Sequence, residues 1–320
     1  MNENSSAAPL RRHEKYNRLI ATAKRLTPLA TAVAHPCDET SLKGVIEAAE
    51  AGLIKPILVG PKDKILAVAK EFSLELGKME IVDVPHSQAA AEKAVELVRT
   101  GKADLLMKGS LHTDELLTEV MKRETGLRTG RRISHVFVMD VPGHAQTLFI
   151  TDAAVNIAPD LASKRDIMQN AIDLYTGLGL GTPKVAILSA VETVTPSIPS
   201  TIEAAALCKM GDRGQITGGE LDGPLAFDNA ISPEAARIKG IKSPVAGEAQ
   251  ILVVPDLEAG NMLAKNLTFL SHADAAGIVL GARVPIILTS RADHVRTRMA
   301  SCAVAALLRH SQMAKEPIRA

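Results

Sequence analysis

Short apolar runs alternate with amphipathic stretches along the first hundred residues, a pattern typical of strands followed by helices. Strands are predicted at residues 31–35, 56–60, 79–84 and 105–108, with helices at residues 39–51, 62–72 and 87–100 between them. A basic amphipathic helix is predicted before the first strand, at residues 10–25. This β-α-β-α order predicts a parallel sheet with right-handed crossovers.

The pattern changes in the middle of the chain. Two apolar runs, residues 134–139 and 147–150, flank a Pro-Gly turn and predict a hairpin-like pair. Beyond them we predict a strand at residues 184–188, helices at 163–175, 200–210, 232–239 and 293–310, and a loop at 218–228. The change predicts two domains, the first formed by residues 1–145 plus 295–320 and the second by residues 146–294.

Two later strands end in residues suited to an anionic ligand. The apolar run from Ile251 stops at Pro255, where Asp256 turns the chain and Gly260-Asn261 is predicted to open a helix. A second apolar strand ends in Thr289, Ser290 and Arg291. Ligands collect at the carboxyl ends of strands in open α/β sheets, and the planar guanidinium of arginine matches a phosphate group. The two ends together predict a binding cleft.

Two further segments are candidate anion sites. Lys108, Gly109 and Ser110 follow a predicted strand, so the ammonium and the N–H groups of the turn could hold a phosphate or carboxylate. The alternative is an ordinary turn in which Ser110 or Thr113 caps the next helix. A basic cluster of Arg128, Arg131 and Arg132 could likewise clamp phosphate groups, or could be a solvated loop.

Some patterns leave their role open or point away from common chemistries. Asp152 and Asn156 follow a predicted strand and fit either a ligand site or an Asx turn. The Gly-rich segment 177–182 resembles a dinucleotide loop but follows a helix, so we interpret it as a helix end and linker. Ser290 lacks a His or Asp partner at the spacing of a nucleophile, which favours an orienting role.

Composition narrows the classes of protein. The 320 residues include no Trp, two Tyr and five Phe, so the core must be largely aliphatic. A formal net charge of +1 predicts no nucleic-acid or membrane partner. The histidines and the widely spaced Cys37, Cys208 and Cys302 form no metal-ligand pattern, which predicts reduced thiols and no metal site. Because no long apolar run or signal peptide is evident, we expect a cytoplasmic protein.

Several blocks in order resemble the phosphate acetyltransferase/phosphate butyryltransferase family over roughly residues 104–308. They are residues 103–109 (ADLLMKG), 133–139 (ISHVFVM), 152–156 (DAAVN), 183–189 (PKVAILS), 219–226 (GELDGPLA), 245–261 (VAGEAQILVVPDLEAGN) and 288–291 (LTSR). The most specific are Pro-Asp-Leu-x-x-Gly-Asn and the Ser-Arg pair about thirty residues later. The first hundred residues match weakly.

The resemblance implies a two-domain α/β protein, a parallel-sheet sandwich of the isocitrate/isopropylmalate dehydrogenase type, which forms a homodimer with its active site in the interdomain cleft. The implied reaction moves a short acyl group between CoA and inorganic phosphate by direct attack in a ternary complex. CoA is then a substrate, and no cofactor is expected.

The resemblance also assigns residues. Arg291 would bind the phosphoryl group, and Ser290 would hydrogen-bond the CoA sulfur or the reacting carbonyl. Substrate-binding positions would be Lys108, Gly109, Ser110, Arg132, Asp256, Gly260, Asn261 and Thr289.

The chain departs from acetyl-type members at two places. Those members carry a carboxylate about two turns after the Ser-Arg pair, proposed as base for the CoA thiol, but here Asp293 is the nearest candidate and His294 the next. Asp293 could instead only cap the final helix. An arginine common in acetyl-type members is also missing around Thr118-Glu119. Because the Thr-Ser-Arg-Ala-Asp segment resembles butyryl-type members more closely, acetyl and butyryl donors both stay open.

Two other classes compete with the acyltransferase. A non-catalytic acyl-CoA-sensing module of the same fold tends to lose the reactive pair, whereas Ser290 and Arg291 are both present. A dehydrogenase of the related two-domain fold would need metal-binding aspartates placed with a nucleotide loop, which the sequence does not show. The acyltransferase is therefore the favoured hypothesis.

Overall fold

The computed structural model describes residues 13–288 and 294–315. Its strands are β1 (Leu29–Ala34), β2 (Ile54–Gly60), β3 (Glu80–Asp83), β4 (Leu105–Lys108), β5 (Ser134–Asp140), β6 (Leu148–Thr151), β7 (Lys184–Leu188), β8 (Glu220–Leu225), β9 (Ile251–Val253), β10 (Asp274–Leu280) and β11 (Ile286–Leu288). Its helices are α1 (Glu14–Ala23), α2 (Glu39–Glu50), α3 (Lys62–Glu71), α4 (Ser87–Arg99), α5 (Thr113–Val120), α6 (Leu161–Gly177), α7 (Pro199–Asp212), α8 (Phe227–Ile231), α9 (Pro233–Ile238), α10 (Leu257–Leu270) and α11 (Val295–Lys315).

These strands form one sheet in the order β3-β2-β1-β4-β11-β10-β5-β6-β9-β7-β8. The outer pairings on both sides are parallel, which confirms the α/β class and the mostly parallel sheet. Between β11 and β6, by contrast, three successive pairings are antiparallel. The strands of the two halves of the sheet therefore run in opposite directions.

Most of the predicted elements are confirmed. The N-terminal β-α alternation is present, and Asp38 caps α2 by accepting a hydrogen bond from the Ser41 N–H at 2.8 Å. The hairpin-like pair is the antiparallel pair β5 and β6. Helix α6 ends at Gly177 and is followed by left-handed glycines at 179 and 181, as a helix end and linker require.

Three predictions are wrong in detail. Residues 218–228 are not a loop, because β8 pairs there with β7 at the end of the strand order, where a strand tolerates proline. No strand was predicted at β10, whose Gly277 interrupts the apolar pattern; a Cβ at this position would lie 2.9 Å from His135 Nε2. Helix α10 begins at Leu257 rather than at Gly260.

The buried side chains are overwhelmingly aliphatic, as the composition predicts. They form layers on the faces of the sheet, and Tyr16 and Phe149 are the largest that are fully buried. Cys302 is buried, Cys37 and Cys208 are half-buried, and all three are free. Burial raises the pKa of Cys302 and Cys208 to about 12 and that of Cys37 to about 11, so these thiols stay protonated at neutral pH.

The final helix packs against the first part of the chain. Helix α11 contacts α1, α2 and β10, and eleven of its side chains from Thr297 to Leu308 are buried. No helix in the described part of the chain is long and apolar enough to cross a membrane. The division into residues 1–145 plus 295–320 and residues 146–294 stays a prediction.

Candidate active site

An open cleft of about 690 Å³ lies between helix α5 and the segment that follows β6. Its lining residues, which define the cleft below, are Thr113, Asp114, Leu117, Thr118, Met121, Arg132, Ile133, Ala154, Val155, Asn156 and Leu288. Six of these eleven residues are apolar, and Arg132 is the one arginine among them. A concave site that combines apolar surface with a few polar groups is typical of a small-molecule site.

Helix α5 supplies one wall through residues that recur at helical spacing. Thr113, Leu117 and Met121 lie four residues apart and so share one face of the helix. The adjoining face carries the buried Leu116 and Val120, which fix the helix on the core. Packing of Leu116 and Val120 against the core therefore holds the cleft-facing residues of α5 in place.

Asp152 shapes the opposite wall. Its buried carboxylate accepts hydrogen bonds from the backbone N–H groups of Ala154 and Val155 at 3.0 Å and of Asn156 at 3.2 Å. Because these bonds bend the chain into a tight turn, Asp152 fixes the residues that line the cleft. Of the two roles that the sequence left open, the structure places the Asx turn at Asp152.

Asn156 connects this turn to Arg132. Its side-chain N–H₂ donates to the Ile133 carbonyl at 2.8 Å and to Asp152, while its Oδ1 accepts from Arg132 Nε at 3.0 Å. The Arg132 backbone N–H donates to Asp166 at 3.0 Å. Arg132 is exposed, but its side chain is oriented by Asn156 and its backbone is held by Asp166.

A buried histidine lies behind the same turn. Burial lowers the pKa of His135 to about 4, and the nearby Asp152 carboxylate opposes this only in part. Its ring meets Phe137 edge-on at 4.4 Å, and its Nδ1 has no hydrogen-bond partner among the described residues. His135 is therefore neutral at physiological pH.

The Lys108-Gly109-Ser110 turn ties β1 to β4. Ser110 Oγ donates to the His35 carbonyl at 2.7 Å, and Lys108 Nζ donates to the carbonyls of Gly109 and Leu111 at 3.2 and 3.1 Å. A Cβ on Gly109 would lie 2.5 Å from the Ala34 carbonyl oxygen, so the strand ends approach too closely for a side chain.

The alternative, in which Ser110 or Thr113 caps helix α5, is not what the structure shows. Helix α5 has His112 at its N-cap position without a side-chain bond, so neither Ser110 nor Thr113 caps it. Lys108, Gly109 and Ser110 are not among the described residues of the cleft wall. Their assignment to substrate binding stays a prediction.

Asp256, Gly260 and Asn261 support the cleft from behind. Asp256 caps α10 by accepting from the Ala259 N–H at 2.8 Å, and Asn261 Nδ2 donates to the Ala153 carbonyl at 3.2 Å. A Cβ on Gly260 would lie 2.9 Å from the Ala153 Cβ. Helix α10 therefore packs directly against the Asp152 turn.

The two strand ends that carry the predicted anion-binding residues do not lie at the same edge of the sheet, and the cleft predicted from them stays a prediction. Three antiparallel pairings separate β11 from β6, and β9 runs parallel to β6, so the carboxyl ends of β9 and β11 point to opposite edges of the sheet. Sequence patterns do not reveal such reversals because each strand carries the same apolar signal in either direction.

The predicted catalytic residues Ser290, Arg291 and Asp293, together with Thr289, lie outside the described residues. The last described residue before them is Leu288, which ends β11 and lines the cleft. Strand β11 also pairs in parallel with β4, beside the end of which α5 begins.

The sequence does not reveal that α5 forms a wall of the cleft. Thr113, Asp114 and Thr118 form no motif, and the only available signal was a polar stripe along a helix that begins after a strand end. In the described part of the chain, no group of three or more His, Cys, Asp or Glu side chains is placed to hold a metal ion. Independence from metal stays a prediction.

Sequence comparison identifies the family. The model of the phosphate acetyl/butaryl transferase family matches residues 86–306. A phosphate acetyltransferase of Rhizobium meliloti is 77% identical over 92% of this chain and 93% of its own length. A phosphate butyryltransferase of Clostridium acetobutylicum is 44% identical over 92% of this chain and 98% of its own.

Solved structures agree with this result. A branched-chain phosphotransacylase of Enterococcus faecalis V583 superposes with a TM-score of 0.77 at 33% identity, covering 88% of this chain and 99% of that one. A structure described as a putative 4-hydroxythreonine-4-phosphate dehydrogenase from Salmonella typhimurium shares the fold, with a TM-score of 0.57 at 12% identity. The match covers 88% of this chain and 100% of that one.

The chain belongs to the phosphate acetyl/butaryl transferase family. The resemblance seen in the sequence is confirmed, as is the assignment to the phosphate acyltransferases. The predicted relation to a dehydrogenase-like α/β fold is confirmed as well.

Proposed function

We propose that the protein transfers an acetyl group between CoA and inorganic phosphate by direct attack in a ternary complex. The observation that carries the proposal is the 77% identity to a phosphate acetyltransferase over nearly the full length of both chains. The proposal is supported by the cleft, whose lining includes Leu288 at the end of β11.

The chemistry suits the residues. In the direction of acetyl-CoA synthesis, the CoA sulfur attacks the carbonyl carbon of acetyl phosphate. A C–S bond forms, the bond from the carbonyl carbon to the phosphate oxygen breaks, and the thiol proton passes to a base. Both reactants are anionic near the reacting atoms, so a site that brings them together needs positive charge and N–H donors.

Roles for the predicted residues follow from this scheme. Arg291 binds the phosphoryl group, Ser290 hydrogen-bonds the sulfur or the carbonyl oxygen, and Asp293 accepts the thiol proton. Arg132 contributes a second positive charge on the cleft wall, where Asn156 holds its Nε at 3.0 Å. The half-buried Leu117, Val155 and Leu288 offer apolar surface for the acyl group and the arm that carries it.

We also propose that the enzyme is a cytoplasmic homodimer that uses CoA as substrate and needs no cofactor. The division into two domains with the cleft between them belongs to the same proposal. The opposite strand directions of the two halves of the sheet support it.

The test is phosphate-dependent release of CoA from acetyl-, propionyl- and butyryl-CoA, compared by kcat/KM. We expect acetyl-CoA to be the preferred donor. Preference for butyryl-CoA would reassign the acyl group within the family. CoA binding without turnover on any of the donors would instead support the non-catalytic acyl-CoA-sensing module.

A further inference from the structure

A second cavity adjoins the cleft, and its charge is distinctly positive. This basic pocket of about 350 Å³ is lined by Met121, Arg128, Thr129, Gly130, Arg131, Arg132, Ile133, Asp160, Ala162, Ser163, Arg165 and Asp166. Met121, Arg132 and Ile133 line the cleft as well, so the two cavities share a wall. Four arginines face two aspartates here, although the whole chain has a formal net charge of only +1.

Both aspartates of the basic pocket already serve structural bonds. Asp160 caps α6 by accepting from the Ser163 N–H at 2.8 Å. Asp166 accepts from the Arg132 N–H at 3.0 Å and from Arg165 Nη2 at 2.8 Å. Asp166 forms an ion pair with Arg165, and the four arginines and two aspartates leave the pocket a formal charge of +2.

The arginines differ in how much of their bonding capacity is used. Arg131 pairs with Asp173, which does not line the basic pocket, and Arg132 donates its Nε to Asn156. Arg128 is exposed, and its side chain makes no hydrogen bond or ion pair with the described residues. A guanidinium carries five N–H donors, so each of these groups keeps donors for an anion.

Helix α6 adds to the same field. It is 17 residues long and begins at the basic pocket, where Ala162 and Ser163 lie in its first turn. The first N–H groups of a helix have no partner within it, and the helix dipole places positive charge at this end. The pocket thus combines a helix N-terminus with four arginines.

We propose that the basic pocket binds the phosphate groups at the nucleotide end of CoA, an inference that rests on the proposed function. CoA carries its thiol at one end and its 3′-phosphate and pyrophosphate at the other. With the thiol in the cleft near Leu288, the connecting arm runs along the apolar wall past Met121 and Arg132 into the basic pocket.

Inorganic phosphate has the same anionic chemistry but a different required position. It must meet the acyl carbon in the cleft, whereas the basic pocket does not include Leu288 among its described lining residues. The geometry therefore favours the nucleotide phosphates in the basic pocket and inorganic phosphate in the cleft.

The experiment compares acetyl-CoA with S-acetyl-pantetheine, which lacks the nucleotide, as acyl donor. In Arg128→Ala and Arg165→Ala we expect KM for acetyl-CoA to rise roughly five- to tenfold with kcat little changed. KM for inorganic phosphate and for S-acetyl-pantetheine should stay at the wild-type values. Arg123→Ala is the control, since Arg123 is exposed, as Arg128 is, and lines neither cavity.

Each other outcome overturns the inference. A raised KM for inorganic phosphate would assign the basic pocket to that substrate instead. Equal losses with both donors would show a general effect on the enzyme, and an unchanged KM for acetyl-CoA in both folded variants would exclude the pocket. If the wild type transferred no acyl group from either donor, the proposed function itself would fail, which is a separate result.

Discussion

At the residue scale, the side chains that shape the cleft are bound to one another more than they are offered to solvent. Asp152 fixes the backbone, Asn156 links it to Arg132, and Asp166 holds the Arg132 backbone. Such bonds keep donors in place before substrate arrives, which is how an enzyme stabilises charge without reorganising at the moment of reaction.

Arg291 is the residue on which the proposed chemistry depends most. Replacement by alanine removes a charge-assisted contact to the phosphoryl group, so we expect turnover to fall by about two to four decades while the fold is kept. Steady-state kinetics with varied phosphate measure this. Arg283→Ala, at an exposed arginine outside the cleft wall, serves as control. Near wild-type phosphate dependence in Arg291→Ala would refute the role.

A substitution at Asp293 distinguishes two roles for this residue, catalytic base and helix cap. If it accepts the thiol proton, Asp293→Asn should slow acetyl-CoA synthesis strongly at neutral pH. The defect should shrink as the pH approaches the thiol pKa of about 8.5, where solution supplies the thiolate. Asparagine caps a helix almost as well as aspartate, so a capping role predicts unchanged rates at every pH. That flat profile would transfer the role of base to His294 or to water.

At the element scale, sequence patterns predicted the strands and helices whose apolar side chains recur with a regular period. They failed for elements whose formation depends on tertiary contacts. The first strands and helices were found because apolar side chains recur with the period of each element. Strand β8 was missed because a Gly-Pro pair is tolerated only at a sheet edge, and β10 because Gly277 makes room for His135 from the next strand. Helix α5 was found as a helix but not as a wall of the cleft.

Contact between α10 and the Asp152 turn gives an element-scale prediction. A Cβ on Gly260 would lie 2.7 Å from Val254 Cγ2 and 3.0 Å from the Asp152 carbonyl oxygen. Overpacking of this kind costs roughly 1–3 kcal/mol, of which the better helix propensity of alanine offsets up to about 1 kcal/mol. We therefore expect Gly260→Ala to lower the free energy of unfolding by about 1–2 kcal/mol in urea denaturation.

The same variant should weaken substrate binding, because the turn it displaces carries Val155 and Asn156 on the cleft wall. Gly130→Ala is the stability control, since a Cβ there meets no atom within 4 Å. Equal stability of Gly260→Ala and wild type would mean that α10 shifts freely, which would contradict a rigid support behind the cleft.

At the scale of the whole molecule, one sheet joins two halves whose strands run in opposite directions. The antiparallel strands β10, β5 and β6 form the join, and the cleft lies beside it with walls from both halves. Chain order alone does not show this arrangement, because β10 and β11 come late in the sequence yet lie between β4 and β5.

A metal-independent reaction is expected of the molecule as a whole. The proposed charges for phosphate and CoA come from arginine side chains and helix N–H groups, which need no divalent ion to bind an anion. Dialysis against a chelator, followed by the acetyl-CoA assay in metal-free buffer, should leave kcat and KM unchanged. Activity lost on chelation and restored by one divalent ion would contradict this expectation.

Acid should destabilise the molecule through His135, which lies on β5 within the join. Its folded pKa of about 4 is below the value of 6.5 for an exposed histidine, because burial disfavours the charged ring. Between these two values the unfolded chain binds a proton that the folded chain does not. The free energy of unfolding should therefore decrease as the pH falls from 6.5 towards 4, by at most about 1.4 kcal/mol per pH unit from this group.

The contribution of His135 is measured by the slope of the free energy of unfolding against pH, rather than by the stability at one pH. In His135→Gln the side chain cannot titrate, so urea denaturation at a series of pH values between 4.5 and 7.5 should show a shallower decrease than in the wild type. His112→Gln, at an exposed histidine, is the control for the loss of an imidazole in general. Parallel curves for wild type and His135→Gln would show that His135 gains its proton equally in both states, which burial in the join does not allow.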